Sequence, residues 1–196
     1  FKFLLLFCYM LSRFLVLLWC LFIFPMQTDV FSLSQVQNPH TKVSIAADHE
    51  VITPGTRFWV ALEFSMQPSW HTYWKNPGDS GLAPQITWHL PAGFTPGDIQ
   101  WPAPERITAG PLQNYGYHHQ VQLLVPIDVS TQVSMPSEVT IQAEVDYLVC
   151  ADVCIPEKAA LSLSLSVRKL AKQSQGFSRL QQDIKKLSYP KLTTHF

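Results

Sequence analysis

The chain has 196 residues, of which 47% are apolar and 14% charged, with equal numbers of basic and acidic side chains and so no formal net charge. That composition excludes a disordered chain. No basic run exceeds a pair, as at Lys185-Lys186, and no arginine-plus-aromatic stacking pattern is present, which excludes nucleic acid as a partner.

Taken in chain order, the first feature is the apolar stretch Phe14 to Pro25, preceded by Arg13 and followed by Gln27, Thr28 and Asp29. It falls short of the ~20 apolar residues that span a bilayer and has the build of a secretory signal, with small or moderate residues at Val30-Phe31-Ser32 for cleavage. Residues 1–32 are therefore expected to be a signal peptide. The alternative is an uncleaved anchor running from Phe1 with Arg13 held mid-span. Met10 is the first methionine, so the true start is expected there, and Trp19 is too large for the small residue that precedes a lipidated cysteine at Cys20. Setting aside Lys2, Arg13 and Asp29 leaves 12 basic against 13 acidic residues. Cys8 and Cys20 leave with the signal, so Cys150 and Cys154 remain as an isolated pair in an exported chain, where thiols spend at least part of their time oxidised. Roughly 160 residues remain, enough for one well-buried domain without a staple.

Prolines and glycines crowd the stretch from Pro68 to Pro111 and argue against long helices there. Strands are expected at Lys42 to Ala47, Arg57 to Phe64, Trp70 to Trp74, Gln85 to Leu90 and Val121 to Val129. Two further runs alternate strictly. Val139, Ile141, Ala143, Val145, Tyr147 and Val149 share one face of the first, and Leu161, Leu163, Leu165 and Val167 one face of the second. These two runs are expected to form a hairpin whose connection, Cys150 to Lys158 with Pro156 inside it, carries both cysteines. About seven short strands with frequent turns predict an all-β, immunoglobulin-like antiparallel β-sandwich over residues 33–170. From Phe177 on, Leu180, Ile184 and Leu187 recur at helical spacing, so residues 171–196 are expected to be a short helical linker into a larger protein.

The chemistry rests on the cysteine pair. A disulfide needs Cα atoms roughly 4.4–6.8 Å apart, which four residues reach in a turn but not along an extended strand. A bond closing so small a loop removes little entropy from the unfolded chain, which weakens the case for a mere staple. With Cys150 ending a strand and Cys154 in the loop, Cys154 is the sulfur expected to be attacked and Cys150 the resolving thiol. An inert local disulfide is the bland alternative, because reactivity depends on surroundings that spacing does not reveal. Zinc or copper(I) ligation with His71, His118 or His119 is weaker still, since adjacent histidines on a strand point to opposite faces. No metal and no other cofactor is called for. His71 and Tyr73 share a face of an aromatic strand whose plainest reading is core packing. Asp146 lies two strand steps from Cys150 on the same face and Asp152 between the thiols, where a carboxylate would raise a thiol pKa.

Tyr147-Leu148-Val149-Cys150-Ala151-Asp152-Val153-Cys154-Ile155-Pro156-Glu157 and the following Leu161-Ser162-Leu163 resemble the signature of the DsbD N-terminal domain. Upstream, Trp70 to Gly81, Gln100-Trp101-Pro102-Ala103-Pro104 and Asn114-Tyr115-Gly116-Tyr117 are similar to the branch that includes ScsB, the suppressor-of-copper-sensitivity protein. The resemblance covers roughly Val43 to Val167. It implies an immunoglobulin-like periplasmic domain that takes electrons from a membrane reductase and its thioredoxin-like domain and hands them to periplasmic thiol proteins. Cytochrome c maturation and copper tolerance are the roles it suggests, and attachment of the longer protein to the inner membrane. It also implies a cap over the cysteines from Asn114, Tyr115 and Tyr117, with Asn114 standing where an aromatic is found in the best-known branch, and it makes His71 and Tyr73 neighbours of the pair. The spacing between the cysteines is shorter than in that branch. The competing class is a copper-binding or adhesion module with a structural disulfide.

Overall fold

Alternation of apolar and polar side chains decides the architecture. In the computed structural model, which describes residues 34–133 and 138–168, every regular element is a strand. The expected signal peptide and C-terminal helix lie outside the described residues. The strands are β1 (Ser34–Gln37), β2 (Thr41–Ala47), β3 (Val51–Ile52), β4 (Arg57–Met66), β5 (His71–Gly78) and β6 (Gln85–His89). They continue with β7 (Phe94–Pro96), β8 (Glu105–Ala109), β9 (Leu112–His118), β10 (Gln120–Val129), β11 (Glu138–Cys150) and β12 (Cys154–Val167).

One sheet has the order β1-β2-β4-β10-β7, and the other runs β3-β12-β11-β5-β9-β8. In the second sheet β5 and β6 share one flank of β11: β6 pairs with Gln142 to Asp146, and β5 meets β11 at His71 opposite Cys150. The pairing is antiparallel except where β3 lies parallel to the end of β12. The core between the sheets is built from every second residue. Val43 and Ile45 of β2, Phe58 to Phe64 of β4 and Leu123 to Ile127 of β10 meet Ile141 to Val149 of β11 and Leu161 to Val167 of β12. The rings of Phe64 and Tyr147 cross that interface edge to face, 5.2 Å apart. Leu161, Leu163, Leu165, Val167, Val145 and Tyr147 are all buried there, as the alternation requires.

Two differences from the sequence reading bear on the site. The hairpin connection is three residues, Ala151 to Val153, because β12 begins at Cys154 and carries Pro156 inside the ladder opposite Leu148. Proline is accommodated by the hydrogen-bond phase. Cys150 and Cys154 face each other with Cα atoms 4.1 Å apart, the narrow spacing of a non-hydrogen-bonded pair, and Leu148 with Pro156 is the next such pair. The missing N–H therefore faces the outer flank, where β3 pairs only with Ser166 and Val167. The second difference is the β8–β9 hairpin. Its turn runs through Gly110, which sits at a φ of +60°, and it draws Asn114 to Tyr117 into β9, a strand that the sequence reading does not include.

Candidate functional site

The register fixes which side chains meet. Residues directly opposite in an antiparallel ladder share a face, so the pairs Cys150↔Cys154, Cys150↔His71 and His71↔His118 set these four residues on one face of the second sheet. Tyr73, two residues from His71, belongs to the same face. This is the outer face, since Tyr147 and Val149 of β11 point into the sandwich core.

Cys150 and Cys154 are joined as a disulfide. Their surroundings differ sharply. Cys150, the last residue of β11, is buried to 1% exposure, whereas Cys154 opens β12 on the exposed side of the turn. The Ala151 N–H donates to the Val153 carbonyl at 3.0 Å and closes the connection. Cys154 is thus accessible from within the ladder, not from a loop outside it.

Tyr73 is the lid. Its hydroxyl donates to Cys150 Sγ at 3.1 Å and lies 3.5 Å from Cys154 Sγ, with the ring itself buried. Burial pushes the Tyr73 phenol above its ordinary value, so it stays a proton donor through the physiological range. The ring is held from the side by His71, 5.3 Å away edge to face. From the front it is held by the turn after β5: a Cβ on Gly81 would come within 2.3 Å of the Tyr73 ring, at a φ of +90° that favours glycine.

Asn114 accounts for that turn. Almost fully buried, it accepts from the Ser80 N–H at 2.9 Å and exchanges hydrogen bonds with the Ser80 hydroxyl. Next to it Asp79 accepts from the Gln113 N–H at 2.7 Å and donates its own N–H to the Gln113 carbonyl. The segment Gly78 to Gly81 is thereby pinned to β9 and laid against Tyr73. Asn114 reaches the disulfide through this chain of contacts and covers it only indirectly.

Tyr115 and Tyr117, expected as parts of the cap, are placed on the opposite face, because Tyr117 pairs with Thr72 and not with a neighbour of Cys150. Tyr117 is buried and donates to the Pro102 carbonyl at 2.9 Å, and burial drives its phenol strongly upward. Tyr115 packs edge to face on Trp74 and is partly exposed. The physical reason is parity: odd-numbered β9 residues face away from the sulfurs once Gly116 stands opposite Tyr73.

The carboxylates also have other occupations. Asp146 is ion-paired with Lys158, its cross-strand partner, and raises the ammonium pKa through that hydrogen bond. Asp152 is exposed at the turn. Of the histidines, His71 is buried, its pKa lowered first by desolvation and second by the charge of His118, whose ring is 5.4 Å away. His118 is 2.9 Å from Glu105 through Nδ1. His119 leaves the strand at a φ of +60°. Among the described residues no group of three or more histidine, cysteine or acidic side chains is arranged to hold a metal ion.

Sequence reasoning put His71 and Tyr73 near the pair only through family resemblance. It weighed His118 only as a weak metal ligand, and it missed Asp79, Ser80 and Gly81. The one signal for the last three was the turn-rich Asn76-Pro77-Gly78-Asp79-Ser80-Gly81 itself, whose partner in β9 no local pattern reveals.

Comparison with known proteins identifies the family of the chain. The family model described as thiol:disulfide interchange protein DsbD, N-terminal, matches residues 37–166. Among solved structures, the N-terminal periplasmic domain of ScsB from Proteus mirabilis superposes with a TM-score of 0.58 at 21% identity, over 76% of this chain and 56% of that one. This chain thus spans little more than half of that relative. The reduced DsbD N-terminal domain of Neisseria meningitidis aligns over 73% of this chain and 90% of that one, at 15% identity and a TM-score of 0.35. No curated protein matches the sequence.

Proposed function

Because the chain belongs to the family of the thiol:disulfide interchange protein DsbD, N-terminal domain, we propose that it is a periplasmic domain carrying electrons from a membrane reductase with its thioredoxin-like domain to periplasmic thiol proteins, through a reversible Cys150–Cys154 bond. The observation that carries this reading is the asymmetry of the pair: one exposed sulfur and one buried sulfur that already accepts a hydrogen bond from Tyr73.

The chemistry follows from that asymmetry. A donor thiolate attacks Cys154 Sγ, the sulfur–sulfur bond breaks, and its electron pair stays on Cys150 Sγ, where the Tyr73 hydroxyl stabilises the new thiolate. The donor's second thiol then attacks its own half of the mixed disulfide and frees Cys154. Two electrons and two protons have entered the domain. In the forward half Cys154 attacks a target disulfide, forms a mixed disulfide, and Cys150 displaces the reduced target as the original bond re-forms. The apolar side chain of Val153 is exposed beside Cys154, on the approach a thioredoxin-like partner would use. In this reading residues 1–32 export the chain, and a longer protein is attached to the inner membrane.

Serine variants test it. Cys150→Ser should accumulate a mixed disulfide with a thioredoxin-fold partner on a non-reducing gel, since the resolving thiol is gone, while Cys154→Ser should form none. Adducts trapped equally by both variants would overturn the assignment of the attacked sulfur. Adducts with neither would favour a structural disulfide in a copper-binding or adhesion module.

A further inference from the structure

Reduction of the pair creates a problem at Cys150 that the oxidised site does not have. Both sulfurs of a disulfide are neutral and weak acceptors, but the thiolate left on Cys150 is an anion with almost no access to water. One hydroxyl, from Tyr73, is in place to meet it.

His71 stands directly opposite Cys150 in the ladder, on the same face, so the two Cβ atoms are neighbours at about 5 Å. It is also buried, and its Nε2 has no hydrogen-bond partner among the protein atoms. Buried polar side-chain atoms are satisfied in the large majority of cases, and an exception at a redox centre calls for a function. The groups facing His71 are few: Tyr73 on its own strand, Cys150 on β11 and His118 on β9, the last occupied with Glu105. None of them carries a negative charge to balance an imidazolium while the disulfide is closed. Burial and His118 hold His71 neutral in that state. A thiolate at Cys150 reverses the balance, because an anion beside a buried imidazole favours its charged form.

We propose that His71 is the proton acceptor of the redox centre, taking up one of the two protons that accompany reduction so that the reduced domain holds a Cys150 thiolate against a His71 imidazolium. The balance is complete: the donor dithiol gives two electrons and two protons, the electrons break the sulfur–sulfur bond, and one proton goes to Cys154 Sγ while the other goes to His71. On reoxidation His71 returns its proton as Cys150 attacks the mixed disulfide. The orphaned Nε2 of the oxidised state is then the site kept open for that proton. This inference rests on the relay reading above.

The test is an NMR titration of the histidine ring signals of the unmodified chain, oxidised and then reduced with an excess of a phosphine. The expected result is a His71 midpoint that moves upward on reduction, with His40 and His49, which lie off this face, and His89, which lies far along it opposite Gln142, unmoved. A His71 midpoint unchanged between the two states overturns the inference and leaves the relay standing. As a second readout, thiolate absorbance of the reduced chain should appear at lower pH than in His71→Gln, and coincident curves would also overturn it. Failure of a thioredoxin-fold dithiol to open the disulfide, where the phosphine does, would instead overturn the relay reading.

Discussion

At the scale of single residues, the site depends on hydrogen bonds to a sulfur that changes charge. The hydrogen bond that the Tyr73 hydroxyl donates gains strength when Cys150 becomes a thiolate, so it favours the reduced product and the transition state leading to it more than the disulfide. Tyr73→Phe keeps the ring that fills the space under Gly81 and removes only the donor. The account expects reduction by a dithiol to slow about five- to tenfold, equivalent to about 1 kcal/mol, with thermal stability little changed. Stopped-flow tryptophan fluorescence would follow this, and an unaltered rate would show that the hydroxyl contributes nothing to the reaction. Near Cys154 a separate buried network makes the hairpin rigid: Glu157 accepts from the Tyr147 hydroxyl at 3.0 Å and from the His40 N–H at 3.1 Å. The start of β12, just after the reactive sulfur, is thereby fixed to the opposite sheet.

At the scale of elements, the site is a product of register. β11 and β12 pair over their full length, so the residues that close the hairpin are determined by core packing many residues away. A one-residue slip of β12 would turn Cys154 inward and expose the Leu161 to Val167 row. This is why the two strands and their buried faces were legible: alternation over a dozen residues has one solution. The length of the connection was not, because Pro156 reads as a breaker unless the hydrogen-bond phase is known. The aromatic cover was misassigned for a related reason. Asn114 to Tyr117 pairs with β5 across more than thirty residues of sequence, and only that register tells which of its side chains face the sulfurs. The turn from Gly78 to Gly81 is held by the same pairing. Gly81→Ala should push the Tyr73 ring off the disulfide, since the added Cβ has nowhere to go and the backbone sits at positive φ. The expected effect is a loss of roughly 1–3 kcal/mol in denaturant unfolding together with faster alkylation of Cys150 in the reduced chain. Wild-type alkylation in this variant would mean that the turn does not hold the lid.

At the scale of the whole molecule, the sandwich buries three phenols, those of Tyr73, Tyr117 and Tyr147, all with their pKa raised by desolvation. The sign of the consequence is fixed by linkage. A group whose folded pKa lies above its unfolded value contributes its stability in full below the unfolded value and loses it as pH rises toward the folded one. Stability is therefore expected to fall as pH climbs past 10.0, the ordinary phenol value, with urea midpoints decreasing while the folded chain still resists tyrosinate formation. A midpoint that stays level through that range would contradict the burial of these hydroxyls. The fold as a whole was legible because its core rests on local alternation, whereas the relay site draws on β5, β9, β11, β12 and the turn after β5, which only the folded chain brings together. The central claim is that the Cys150–Cys154 bond opens and closes in use, and its most direct measurement is the fraction of the pair reduced in glutathione or dithiothreitol buffers of graded potential. A working relay predicts a midpoint above about −300 mV, within reach of thioredoxin-like donors, whereas a midpoint well below about −300 mV would mark a structural disulfide and contradict the account.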